Sequence, residues 1–138
     1  MKHYKLTDET ITLYGVVLYR IECTEDIPDK NVKVGDKGGF IEKESNLCGD
    51  AWVYGDAEVY GNAKVCGNAD YIVFKNWWSS GRYFTWTRSN NMWKVGCFYG
   101  TGEELIKKAY TDSEKSGREY ERVVRYVESI LKDEEEKQ

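Results

Sequence analysis

The chain has 138 residues, with 20 basic and 24 acidic side chains, a net charge of −4 and a single histidine, His3. That length suits one compact unit or two small subdomains sharing a core, and the acidic balance offers nucleic acid no basic face to bind. The apolar runs, such as Leu13 to Leu18, are too short to cross a bilayer, and no apolar h-region follows Met1 to Asp8, so a protein of the cytoplasm is expected.

Residues 1–34 read as a β-hairpin and a connector. Thr10 to Tyr14 alternates polar with apolar side chains, Val16 to Ile21 is rich in β-branched and aromatic residues, and Gly15 between them supplies a turn or bulge. Glu25 to Lys33, which holds the one proline, is a polar link into Gly35 to Glu42, where closely spaced glycines suggest a tight turn. A glycine-rich phosphate cradle is the sharper reading of that stretch. It is set aside because no Gly-Lys-Ser or Gly-Lys-Thr is present and no helix begins there.

Residues 35–70 are read as repeats. LCGDAW, VYGDAE, VYGNAK and VCGNAD follow one another from Leu47 to Asp70. Each unit opens on an aliphatic residue (Leu47, Val53, Val59, Val65), turns on Gly followed by Asp or Asn, and places Ala51, Ala57, Ala63 or Ala69 at its fifth position. Weaker units run backwards through Gly35 to Phe40 and Ile41 to Asn46, with Gly39 and Ser45 as their small residues. The pattern resembles the hexapeptide repeat of left-handed parallel β-helices, which implies a short helix of about two coils with the alanines inward. Trp52, Tyr54 and Tyr60 then project outward, where they would form an oligomer interface, and such helices commonly form homotrimers. Acyltransferases of this class use a histidine base, and its carbonic anhydrases hold metal with three histidines. His3 lies outside the repeats, so the expectation is no enzyme, with no catalytic residue, cofactor or metal site, and a hexapeptide-repeat acyltransferase only as the outsider.

Among the cysteines, Cys23, Cys48, Cys66 and Cys97, no Cys-x-x-Cys spacing occurs. Cys48 and Cys66 occupy equivalent positions one full coil apart, which makes a disulfide geometrically conceivable. Two reduced thiols in a reducing compartment are the favoured reading.

Residues 71–100 are aromatic. Tyr71 to Trp78, Arg82 to Arg88 and Met92 to Tyr99 suggest three strands of an antiparallel meander joined at Ser79 to Gly81 and Ser89 to Asn91. Arg82, Phe84, Trp86 and Arg88 share one face of the middle strand, and Tyr83, Thr85 and Thr87 share the other. Phe74, Phe84 and Trp86 are read as a cap over the coils. Trp77, Trp78 and Trp93, together with Arg82, Arg88 and Lys94, are the candidate surface for a partner or an anionic ligand, since Trp and Arg carry stacking and charge.

Residues 101–138 are helical. Thr101 to Glu104 is a capping box ahead of Leu105, Ile106 and Ala109. Ser116 to Glu119 reads as a second capping box ahead of an apolar stripe at Tyr120, Val123, Val124, Val127, Ile130 and Leu131, with a charged tail from Lys132.

Taken together, Leu18 to Glu22, Gly35 to Glu42, Asn46-Leu47, the Gly-(Asp/Asn)-Ala repeats and Gly96 to Thr101 resemble a family of small proteins carried by phages and prophages of Gram-positive bacteria. The resemblance implies a non-catalytic binding protein in the bacterial host cytoplasm. Its leading expected role is inhibition of a host anti-phage defence system by binding a host defence protein, as an anti-CRISPR does. The alternatives are a homo-oligomeric sponge for an anionic nucleotide signal held between subunits and a structural virion or polymer-forming module; neither membrane attachment nor sequence-specific nucleic-acid binding is expected.

Overall fold

A computed structural model describes residues 2–137. Strands β1 (Tyr4–Leu13) and β2 (Val16–Cys23) pair antiparallel across Tyr14 and Gly15, whose φ values of 50° and 80° make the left-handed turn that suits the twist of a hairpin. Strand β3 (Lys37–Ile41) adds antiparallel to β2, and the short β4 (Glu58–Val59) adds parallel to β3, giving the order β1-β2-β3-β4. A second sheet is wholly antiparallel, in the order β5 (Tyr71–Lys75), β6 (Tyr83–Thr87), β7 (Met92–Val95) and β8 (Phe98–Gly100). Helices α1 (Gly102–Asp112) and α2 (Glu114–Glu136) follow.

The left-handed parallel β-helix expected from the hexads is not what the chain builds. Both sheets have four strands and are mostly antiparallel, and parallel pairing is confined to β3 with β4 and a bridge between Leu47 and Val65. The physical reason lies at both ends of the repeat. At its start, β3 takes the β1–β2 hairpin as its neighbour, and Ser45, expected inward, is exposed while Asn46 turns in. At its end, Gly49, Gly55 and Gly61 hold the left-handed corner (φ 53°, 57° and 69°), but Gly67 is extended (φ −167°), Ala69 is exposed, and the chain peels away into β5. Between those limits Ala51, Ala57, Ala63, Val53, Val59 and Val65 are buried beneath the hairpin with Ile21 and Ile41.

Asn46 braces this tract. It is fully buried, its Oδ1 accepts from the Glu42 and Lys43 amides (3.1 and 2.9 Å), and its Nδ2 donates to the Gly61 and Ala63 carbonyls (3.1 and 2.8 Å). Cys48 and Cys66 are joined by a disulfide, against the expectation of free thiols. The Cys48 amide donates to Val65 and the Val65 amide to Asn46, which holds the two segments side by side and brings the cysteine Cα atoms to 4.6 Å.

The second sheet is covered on both faces. Ile72, Phe74, Phe84, Trp86 and Trp93 pack under α1 and α2 against Leu105, Ile106, Ala109, Tyr120, Val124 and Val127, while Tyr71 and Val73 join the hexad core. Thr101 caps α1 with a reciprocal box to Glu104. The second helix starts earlier than the Ser116 box would put it: Ser113 is the cap, accepting from the Ser116 amide, and Ser116 and Gly117 lie inside α2.

Replacing Asn46 by Ala should remove four hydrogen bonds to the backbone, stranding the buried Ala63 carbonyl, and lower stability by about 1–3 kcal/mol in urea denaturation. Opening the Cys48–Cys66 bridge by the double serine variant should cost on the order of 3 kcal/mol, seen as a lower melting temperature than the oxidised parent.

Candidate functional site

The predicted site residues do not converge. Trp93 is 1% exposed and pairs across the sheet with Trp86, so the β6–β7 register turns it into the helix-side core rather than to the surface. The same register turns Lys94 to the opposite face beside Thr85, where it is 3% exposed, 3.0 Å from the Glu58 carboxylate, and donates to the Gly96 carbonyl. Neither stands on an open surface.

Arg88 is equally committed. Its Nε donates to the Ala69 carbonyl at 2.9 Å, its guanidinium grips Glu134 at 2.6 Å, and it lies over Trp86, so it clamps the end of α2 to β6. Trp78 is half-buried against Tyr120, with its indole N–H donating to Ser116. Trp77 is 66% exposed, edge-on to Trp78 with Lys115 over its ring.

The expected oligomer interface also dissolves. Trp52 is buried against Gly38, which it reaches because glycine offers no side chain there. Tyr60 packs at a tilt against Tyr99, 4.4 Å between ring centroids, within the same chain. Only Tyr54 stays exposed, with its hydroxyl donating to the Lys30 carbonyl. The apolar patch invoked to join three copies is therefore reduced to one ring.

What the fold does assemble is a groove at the junction of the two sheets. One half, about 500 Å³, is lined by Ile11, Arg20, Phe40, Asp56, Glu58 and Arg82; the other, about 440 Å³, by Tyr54, Gly55, Val73 and Lys75. Asp56 and Tyr83 belong to both halves.

Arg20 fixes one wall. It stacks on Phe40 at 4.3 Å, pairs with Glu9 (2.7 Å) and Asp56 (3.2 Å), and donates to the Gly38 and Gly55 carbonyls (2.6 and 3.2 Å). Burial pulls its guanidinium down, but the hydrogen bonds to Glu9 and Asp56 outweigh this and hold it above its ordinary value. It is thus a permanent structural cation rather than a free one. Arg82 and Lys75 differ: both are exposed, and neither has a carboxylate partner among the described residues. Arg82 is held in place by lying flat against Gly96, where any side chain would displace it. Tyr54 and Tyr83, 39% and 43% exposed, frame the apolar floor made by Val73.

Of the residues expected to act, Tyr54 and Arg82 alone line this groove, and the Arg82 guanidinium turns from it to Gly96. Tyr83, Lys75, Val73, Asp56, Phe40 and Arg20 were missed, although the alternation of β6 already separates Tyr83 from the core face that holds Phe84. No family model matches the chain, and no curated protein matches its sequence. Among the described residues no helix is long and apolar enough to cross a membrane.

Trp93→Ala should cost about 3–5 kcal/mol by emptying the core, and Lys94→Ala less, about 1.5–3 kcal/mol, because Glu58 is half-buried at the groove wall and water can replace its partner. Trp77→Ala, at an exposed ring, should stay within about 0.5 kcal/mol of the parent in the same denaturation series.

Proposed function

We propose that the chain is a non-catalytic binding protein of phage type that inhibits a host anti-phage defence system in the bacterial cytoplasm by docking a host protein in the groove between its two sheets. The observation that carries this reading is the pairing of two exposed tyrosine rings, Tyr54 and Tyr83, with the unpaired Lys75 around the apolar floor of Val73. Tyr and Arg are the side chains in which binding energy concentrates, because they combine large contact area with few rotors and a polar end. A wall already locked by Arg20 limits the ordering cost of association. The phage and defence part of the reading rests on the family resemblance of the sequence.

The nucleotide sponge is the weaker reading: of Arg82, Arg88 and Lys94, any of which could hold the anion between subunits, two are taken by Glu134 and Glu58. A polymer-forming module needs a long regular coil, whereas here the left-handed corners stop at Gly61. In a reducing cytoplasm the Cys48–Cys66 bridge would open. The hexads would then rely on Asn46 and the amide bonds between Cys48 and Val65.

The test is expression of the protein in a defended host challenged with phage, alongside recovery of the bound host protein. Tyr83→Ala and Lys75→Ala should each abolish protection of the phage and weaken capture of that protein, by about 2 kcal/mol or more at a hot spot, with unchanged melting. Trp77→Ala should behave as the parent. Full anti-defence activity in both groove variants would sink the reading.

A further inference from the structure

A separate cavity, of about 270 Å³, lies on the helix side of the second sheet, where the turn between β6 and β7 meets the head of α1 and the middle of α2. It shares no residue with the groove between the sheets. Trp93, Val124 and Val127, all buried, form its apolar floor, and Gly102, Glu103 and Glu128 stand around them.

Two kinds of donor reach this cavity unpaired. The first is the Trp93 indole N–H. The residue is 1% exposed, and its Nε1 faces the head of α1, 3.3 Å from where a Cβ on Gly102 would sit. Trp86 gives its indole N–H to Asn91 at 2.8 Å and Trp78 gives its own to Ser116 at 3.1 Å, whereas that of Trp93 has no acceptor among the described residues. Buried donors are nearly always paired, so an unpaired one aimed into a cavity indicates what the cavity takes. The second is the first turn of α1. The reciprocal cap serves the Thr101 and Glu104 amides (2.8 and 3.2 Å) and leaves those of Gly102 and Glu103, which line the cavity, with no partner among the described residues.

We propose that this cavity binds a compact neutral molecule through an amide-type carbonyl oxygen, carboxamide or lactam, seated between the Trp93 indole N–H and the first turn of α1. The donors ask for an oxygen, and the mouth selects its kind. Glu103 and Glu128 share Arg125 with Glu121 (2.6, 2.9 and 3.5 Å), which sets three carboxylates on one cation and opposes a carboxylate or phosphate ligand. An amide carbonyl is a strong acceptor with no net charge. Sites for drug-sized ligands run from roughly 300 Å³ upward, so this one suits a single ring. Gly102 keeps the seat open, since a methyl there would meet Val124 Cγ1 at 2.7 Å and crowd Nε1.

The probes are nicotinamide, an open carboxamide, and uracil, a ring lactam, with nicotinate as the charged match of the first. The readout is the Trp93 Nε1–H signal in proton–nitrogen correlation spectra of the whole chain, assigned by its loss in Trp93→Phe. A neutral probe should move that signal saturably while those of Trp86 and Trp78, already bonded, stay in place, and the tighter of the two probes tells an open amide from a ring amide. Nicotinate should bind roughly tenfold weaker or not at all. Trp93→Phe keeps a ring and removes the donor, so neutral probes, followed at the Gly102 and Glu103 amides, should bind it roughly tenfold weaker. Gly102→Ala should weaken them by filling the seat. Glu128→Gln, at an exposed side chain, should leave nicotinamide binding unchanged and let nicotinate gain several-fold.

If neither neutral probe moves the Trp93 signal at millimolar concentration, water alone serves the indole N–H and the site is overturned. Nicotinate binding as tightly as nicotinamide overturns the choice of a neutral carbonyl, and unchanged affinity in a folded Trp93→Phe overturns the part given to the indole. Should Trp93→Phe or Gly102→Ala fail to fold, the titration of the parent and of Glu128→Gln decides.

Discussion

Glu58 is where the two halves of the molecule meet. Its backbone pairs with Phe40 in the first sheet, its amide donates to Thr85 Oγ1 in the second at 2.9 Å, and its carboxylate takes Lys94 from the interior of that sheet at 3.0 Å. The ammonium completes its bonding on the Gly96 carbonyl and approaches the face of Tyr60. A pair whose ammonium is buried and whose carboxylate is half-buried adds little net stability over an apolar substitute, because desolvation nearly cancels attraction. It does penalise every arrangement that separates the partners. The position of the second sheet on the hexads, and so the existence of a groove between them, follows from that penalty.

The surrounding contacts share the same logic of polar groups meeting across an otherwise apolar junction. Lys64 donates its amide to Ser89, Asn90 reaches Asn62, and Tyr99 packs on Tyr60. Burial pushes the Tyr99 phenol up, opposed by its bond from Asn90. These contacts are directional where a purely hydrophobic seam would slide, and they leave Tyr83 and Lys75 at the rim with no internal partner to recruit them.

Local signals were legible in the sequence, and long-range register was not. The Thr101 to Glu104 box reads correctly because all its bonds form within one turn. The Ser116 to Glu119 box has the same letters and is not a cap: Gly117 is buried in α2 beneath the Tyr110 ring, so a glycine needed for helix packing imitates one needed for a turn. In the hexads, the inward alternation of Val and Ala is visible in the spacing. What becomes of that alternation is not, because the hairpin of β1 and β2 seals β3 and the fourth repeat opens at Gly67. Trp93 and Lys94 were misplaced for a related reason. Alternation says that they face opposite ways, but only the cross-strand partners Trp86 and Thr85 say which way is inside.

The groove was the least legible feature, and the cause is geometric. Its walls come from residues as distant in sequence as Ile11, Phe40, Asp56, Val73 and Tyr83, each unremarkable in its own segment. Tryptophan drew attention as the strongest interface residue, yet of five tryptophans three, Trp52, Trp86 and Trp93, are core, because a ring that large in a small protein is the most effective filler of the space between layers. The rings that stay open to solvent at the groove are tyrosines, whose hydroxyl tolerates water. Freedom from a carboxylate does not mark Lys75 by itself, since several other lysines are equally unpaired among the described residues; what sets it apart is its place on the same face of β5 as Val73, beside two exposed phenol rings.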